Sequence, residues 1–426
     1  MKRRDFLRKA AATAAAGLST RYLVSSRAQA APGRLGANDR IRVAFIGTGG
    51  RARQLMTTEK LSDHADIVAV CDCWLPRMEE AAKAVPGSEK WKRYQDYREM
   101  FDKEKLDAVF VETTTHARAL ICIHAMQAGL DVYGEKPLTL TIAEGRAIVK
   151  AAEKYKRVFL TGTQQRSMPA NIHASKLVRD GAIGKVHTVI AFNFLGPAKW
   201  EPKPAESMPD GMDWDKWCNQ TELRPYHTQI HRHWALWRDY DGGGQSWGVT
   251  GWGTHALDQV QCALGTDDTG PVEIWPEEPG PKCRVTMRYP NGTLLKCHGK
   301  KRGLEDLGAI FIGDKGRIEI LRGSYTSDRP ELLKDCPTTM PANVPGECVE
   351  HLKNFFDCMR TRKRTVADAE VGHRSTTVCH LMNICRELQR KIKWDPKAER
   401  FVDDDEANKL ISRPRRKGYE LPAEFA

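Results

Sequence analysis

Twelve cysteines are spread over 426 residues without a single CxxC pair, and no apolar run reaches the length of a bilayer. The first absence argues against a structural zinc site, so mostly buried free thiols are expected. The second leaves no membrane span. A nucleic-acid-binding signature is missing too, although the formal charge is +12. Residues 1–30 hold seven Lys/Arg against Asp5 alone, half of that excess. The remaining basic knot, RPRRK at 413–417, is expected to be a solvated tail, and no nucleic-acid partner is expected.

The cationic start has its own logic. MKRRDFLRKAAATAAAGL pairs Arg3 with Arg4, follows with Phe6-Leu7, and runs into a short alanine-rich stretch; AQA at 28–30 offers small residues for cleavage. This pattern predicts a twin-arginine export signal over 1–30, with the export machinery as partner and a periplasmic or otherwise exported protein. The rest is too long for one typical core, and two domains are expected, 38–168 and 169–395, followed by a tail at 396–426.

From Ile41 the pattern alternates strand and helix, as in a parallel sheet. IRVAFIG runs into the G-x-G-x-x-A turn GTGGRA, residues 47–52. Gly47 permits the tight turn, Gly49 lets backbone approach a pyrophosphate, and Ala52 lets the helix pack on the strand; Thr48, Gly50 and Arg51 complete the loop. The next strand, DIVAVCD, ends in Asp72, twenty residues past Ala52. A carboxylate there accepts hydrogen bonds from a ribose and repels a 2′-phosphate, favouring NAD over NADP, while Arg51 and Arg77 nearby oppose that preference. Thr113, Thr114 and His116 fall at the carboxyl end of LDAVFVET, and Glu135 and Lys136 at that of LDVYGEKP. Ligands in such sheets bind beyond these ends.

Beyond about Asn171, strands follow one another without regular helices: 186–194, 272–276, 283–290, 293–299, 309–314 and 316–321. Asn291-Gly292 predicts a hairpin, and the set predicts an α+β domain with an open, largely antiparallel sheet. Helices are expected near 347–359 and 369–392. A long insertion carries seven of the eleven tryptophans, among them Trp200 and Trp252, with Tyr226 and His227. Indole faces stack on the C–H faces of a sugar, so Trp200, Tyr226, His227 and Trp252 are candidates for substrate contact. The spacing of His227, His231 and His233 suggests metal ligation, but no acidic partner accompanies it and no metal is expected. TGWGTHALDQ (250–259) predicts a helix with Thr254 as N-cap and Gly265 as its stop, with His255 and Asp258 on one face.

GTGGRA, VYGEKPLT, GTQQR (162–166) and GWGTHALDQ, in this order, resemble the glucose–fructose oxidoreductase/inositol dehydrogenase (Gfo/Idh/MocA) family from about Ile41 to about Trp394. The resemblance implies an N-terminal Rossmann domain binding NAD(P), and a C-terminal domain whose open sheet carries the substrate site or the interface of a homo-oligomer. It places Lys136 at the nicotinamide and substrate, Gln164 on the cofactor side, and Gln165, Arg166 and Asp258 on the substrate side. His255 matches the family's histidine. The family often reads D-x-G-x-H here, and this chain has Gly251 where that aspartate stands.

Taking hydride from a carbinol requires its hydroxyl proton to leave, so His255 is expected as base and Lys136 as the ammonium steadying the oxygen. With no aspartate at 251, Lys136 itself is the other candidate base, which requires a lowered pKa. The expected function is an NAD(P)-dependent oxidoreductase acting on a sugar or glycoside hydroxyl. An exported enzyme meets no pool of free NAD, so a tightly bound cofactor is expected. That opens a second reading, a redox-neutral NAD-dependent glycosidase or lyase. A third, of another class, is a catalytically silent sugar-binding protein.

Overall fold

A computed structural model describes residues 40–299, 307–337, 339 and 344–425. The twin-arginine stretch, AQA 28–30 and the expected domain start at residue 38 lie outside these residues. Six parallel strands form the first sheet: β1 (Ile41–Ile46), β2 (Ala65–Cys71), β3 (Lys92–Tyr94), β4 (Ala108–Val111), β5 (Asp131–Gly134) and β6 (Phe159–Thr161), in the order β3-β2-β1-β4-β5-β6. The order reverses direction between β1 and β4, and this is where such sheets open a crevice for ligand.

Side chains of β1 alternate between two apolar layers, as strand geometry requires. Ala44 and Ile46 enter one with the Thr115–Gln127 helix, while Val43 and Phe45 enter the other. On that second face Phe45, Phe110 and Tyr133 stack in a row, with centroids 4.6 and 5.0 Å apart. The row is closed by Phe355 and Phe356 of the Val349–Thr361 helix. Although it lies within the stretch expected to form the second domain, this helix packs under the first sheet. Its Leu352, Phe355, Phe356 and Met359 need an apolar floor, and burying each phenylalanine contributes about 1.5–3 kcal/mol.

The second sheet has nine strands in the order β13-β12-β11-β7-β10-β9-β8-β14-β15. They are β7 (Val186–Phe192), β8 (Glu273–Pro276), β9 (Val285–Arg288), β10 (Leu294–Gly299), β11 (Ala309–Gly313), β12 (Gly316–Ile320), β13 (Tyr325–Ser327), β14 (Ile392–Asp395) and β15 (Arg400–Phe401). All neighbours run antiparallel except β7 and β10. The Asn291-Gly292 turn joins β9 to β10 as expected. Helices Pro169–Arg179, Trp252–Leu264 and Ala369–Leu388 cover one face and bury the larger core. All twelve cysteines are free thiols and nine are buried. No helix among the described residues is long and apolar enough to cross a membrane.

The RPRRK segment is not a solvated tail. Arg415 binds Glu144, Arg416 binds Asp215, and Arg413 donates to the carbonyl of Arg238. Farther on, Phe425 enters the core of the first domain and Glu424 accepts from Tyr155 Oη at 2.6 Å. The three arginines reach partners 175 to 271 residues away, a pairing no local composition reveals.

Candidate active site

The glycine loop builds one wall of a cleft of about 330 Å3. Gly47 takes φ +86°, and a Cβ there would lie 2.8 Å from the Glu112 backbone, so only glycine lets β1 turn against β4. Around Gly49 and Gly50 the space is open to 4 Å. Asp72, Thr113 and Thr114 line the same cleft. Asp72 accepts from Thr48 N at 2.8 Å, Thr48 Oγ1 at 3.0 Å and Trp74 N at 3.0 Å, which fixes the carboxylate beside the loop. Burial nevertheless raises its pKa above the ordinary range. Arg77 lies over Trp74 and pairs with Glu80 on this wall. Glu112, which sequence reasoning passed over, also faces the cleft, and both its carboxyl oxygens are buried without a hydrogen-bond partner among the described residues. Burial and nearby Glu135 push its pKa well up. Its place at the end of β4, beside the chosen Thr113, was the available signal.

Arg51 also lines the cleft, whereas Ala52, His116, Glu135 and Gln164 stand behind this wall. Ala52 is fully buried and lets its helix close on the sheet. Arg51, expected near Asp72, turns its guanidinium to Glu135 at 2.9 Å and to Cys348. Glu135 also accepts from Lys136 N at 2.8 Å and from Gln164 Nε2 at 3.3 Å, making a buried polar knot. His116 is not a cofactor contact: it is completely buried, with Nε2 2.8 Å from the Trp217 carbonyl and burial lowering its pKa to about 4.

Beside the cleft, Lys136 Nζ donates to the Gly251 carbonyl at 2.9 Å. That carbonyl belongs to the residue preceding the Trp252–Leu264 helix, so Gly251, not Thr254, occupies the N-cap position; Thr254 Oγ1 instead donates back to the Thr250 carbonyl. A Cβ on residue 251 would lie 2.2 Å from the Gln245 carbonyl oxygen. No aspartate fits there, because the preceding loop folds directly over this position. One turn on, His255 is 6% exposed, and its Nδ1 has no partner among the described residues. Burial first, then Arg322, Lys136, Arg51 and His351, hold its pKa well below the ordinary value. The expectation of a base poised near operating pH is not met at His255. Lys136, by contrast, has its pKa lowered, chiefly by burial.

The residues assigned to substrate are mostly committed elsewhere. Asp258 is fully buried and accepts from Arg166 Nε at 2.9 Å and Ser375 Oγ at 2.6 Å. Arg166 also grips Asp267, so the pair ties the Gln164–Ser167 turn to the helix rather than facing ligand. Gln165 is buried between the Leu307 carbonyl and Arg322. A buried cation beside a buried carboxylate pairs before either meets a solute, and this corrects the reading from face alone.

The aromatic insertion docks on the first domain instead of enclosing a sugar by itself. Trp74 bridges to Met212 and donates to the Asp210 carbonyl, and Asp213 N donates to the Cys73 carbonyl. As a result Lys216, Trp217, Asn219, His231 and Trp234 line the nucleotide cleft, as does Tyr419 of the tail, whose Oη donates to Asp215 at 2.7 Å. Neither Lys216 nor Tyr419 carried a local signal. Trp200 packs edge-on against His227 and Trp237, and Tyr226 is buried against Trp214 with its Oη 3.2 Å from His231 Nδ1. His227 caps a short helix by accepting from Gln229 N, and Trp252 packs on Trp247. These four build the insertion. The three histidines of the H-x3-H-x-H spacing serve as this cap, as a ring packed on Trp74 (His231) and as an exposed side chain (His233).

Comparison with known proteins agrees with this arrangement. The GFO/IDH/MocA family model described as "Oxidoreductase family, NAD-binding Rossmann fold" matches residues 41–163, and its companion, "Oxidoreductase family, C-terminal alpha/beta domain", matches 174–421. A D-apiose dehydrogenase of Paraburkholderia graminis is 34% identical over 145 residues, covering 34% of this chain and 38% of that protein. A "Glycosyl hydrolase family 109 protein" of Shewanella pealeana is 28% identical over 225 residues, 49% of each. The chain thus spans less than half the length of these curated relatives. Among solved structures, the WlbA dehydrogenase of Bordetella pertussis, in complex with NADH and UDP-GlcNAcA, aligns with a TM-score of 0.62 at 16% identity, covering 84% of this chain and 99% of that one. At that identity the likeness shows the fold.

Proposed function

The chain belongs to the GFO/IDH/MocA oxidoreductase family, and from that premise we propose that it moves a hydride between a nicotinamide cofactor and a carbinol carbon of a sugar or glycoside. The observation that carries the reading is Lys136 Nζ, held 2.9 Å from the carbonyl of Gly251, one helical turn before His255, whose Nδ1 has no partner among the described residues. The cleft fits a dinucleotide: Gly49 and Gly50 leave room for a pyrophosphate, Asp72 lines it at the end of β2 where a ribose would bind, and Glu112 offers buried carboxyl oxygens with no partner among the described residues. The nicotinamide, when bound, supplies the hydride acceptor and donor.

The chain's own part is the proton. Oxidising a carbinol frees the hydroxyl proton as the carbon gives up hydride. Lys136, with lowered proton affinity, takes that proton at Nζ and returns it in the reverse direction. His255 is held neutral, so its Nδ1 orients the substrate oxygen by a hydrogen bond. Asp72 favours NAD over NADP, and the two arginines expected to oppose it are engaged by carboxylates, Arg51 by Glu135 and Arg77 by Glu80.

A retained cofactor is supported by the side chains that the insertion and Tyr419 add to the lining of the cleft, and this favours the redox-neutral glycosidase as second reading. The family 109 name of one relative points the same way. Export through the twin-arginine segment and homo-oligomer formation are parts of the same proposal.

Lys136→Ala is expected to cut turnover of a panel of aldoses, inositols and glycosides by about two to four powers of ten while mass spectrometry still finds nucleotide bound. Loss of nucleotide and activity together would return Lys136 to a structural role. Run in deuterated water, the same assay separates the two readings. Solvent deuterium in the product without NADH accumulation marks the redox-neutral cycle; stoichiometric NADH marks a dehydrogenase.

A further inference from the structure

Lys136 brings a cation to a place that disfavours one. The Gly251 carbonyl it binds stands at the N-terminus of the Trp252–Leu264 helix, the positive end of the helix dipole. Arg51, from the helix after the glycine loop, and Arg322, beyond β12, add repulsion. Two carboxylates oppose them, Glu135 and Asp241. Glu135 is already gripped by Arg51 and by Gln164. Asp241 is different: it is fully buried, forms no ion pair among the described residues, and is held by two hydroxyls. Thr115 Oγ1 donates at 2.5 Å from the start of the helix after β4, and Thr250 Oγ1 donates from the residue before Gly251.

A buried carboxylate without a cation costs several kcal/mol, and two hydroxyl bonds offset that only in part. Its placement is the informative point. One anchor, Thr115, lies in the first domain, and the other, Thr250, immediately precedes the residue whose carbonyl Lys136 binds. No side chain fits at residue 251 itself. We propose that Asp241 is the positioning carboxylate of this site, supplying from the insertion the charge that residue 251 cannot carry, and holding the Thr250–Gly251 segment so that its carbonyl receives the Lys136 ammonium. The inference rests on the reading of Lys136 as the proton-handling group.

The other ionisable groups around the pair are Arg118 facing Asp241, and His255 and Cys379, which feel Lys136. All are unchanged in the test. The full chain is labelled with 13Cε-lysine, and the Lys136 resonance is assigned by its loss in Lys136→Arg. Asp241→Asn is expected to lower the Lys136 titration midpoint by about one pH unit. Thr115→Val, which keeps the charge, is expected to move it far less. An unmoved midpoint in folded Asp241→Asn overturns the proposal even if thermal stability falls. Should that variant not fold, the unmodified chain serves: the Asp241 13Cγ resonance is expected to step at the Lys136 midpoint and to lose that step in Lys136→Arg, and no step overturns the proposal. An inactive chain with coupled titration sinks the functional reading alone, whereas turnover with uncoupled titration sinks this inference alone.

Discussion

Backbone approaches the site at two glycines, Gly47 and Gly251, on opposite plans. At Gly47 a left-handed turn frees the loop so that Gly49 and Gly50 face open space, ready to present N–H groups. At Gly251 the chain is enclosed by its own preceding loop, and what it presents is a carbonyl, already taken by Lys136. The carboxylates nearby differ in the same way. Asp72 stands at the cleft, held by neutral donors; Asp258 is sealed inside an ion pair. A ligand site needs polar groups whose bonding is left incomplete, and the structural polar groups are the ones that close on each other.

Asp258→Ala gives the sharpest contrast. Leaving Arg166 with only Asp267 is expected to cost about 3–5 kcal/mol of stability, read as a lowered urea midpoint, with cofactor preference untouched. Full stability together with weakened sugar binding would put Asp258 back on the substrate.

The effect next in size belongs to His116. His116 is buried neutral with a folded pKa of about 4, against about 6.5 unfolded. Because the folded value is depressed, its contribution is complete above pH 6.5 and is lost as pH falls toward 4, about 3 kcal/mol in all. His116→Gln is therefore expected to show a shallower fall in unfolding free energy across that window. An identical pH slope in the variant would mean that His116 is solvated, and that the insertion does not seal over it.

The smallest effect belongs to Asp72. Asp72→Ala is expected to weaken NAD binding by about tenfold and to narrow the preference over NADP, with little change in thermal midpoint. If stability collapses instead, the three hydrogen bonds from Thr48 and Trp74 are its main role and the contrast with Asp258 disappears.

The cofactor half was largely legible because its signals are local. A turn needing glycine, a helix needing a small residue at Ala52, and a strand ending in Asp72 all lie within one βαβ unit. In the substrate half the helix at Trp252–Leu264 is legible in the sequence, whereas the partners of its polar side chains are not, because they come from distant segments. The resemblance places both Asp258 and Arg166 on the substrate side, and no spacing rule shows that they bind one another across 92 positions. His116 was chosen from its place after β4, but Trp217 covers it from the insertion. Asp241 went unnoticed because nothing around it marks a carboxylate that will sit between two domains.

The sequence by itself determined two sheets of different kind, the strand order's glycine-lined crevice, the hairpin at Asn291-Gly292 and the position of Lys136 at a strand end. Hydrophobic period and turn chemistry act over a few residues, and they survive any rearrangement of distant segments. Only the tertiary structure decided which polar groups remain unpaired, where the insertion and the tail lie, and that Lys136 meets the Gly251 carbonyl. Those outcomes depend on which buried charges find partners, and that competition is settled across the whole chain by desolvation.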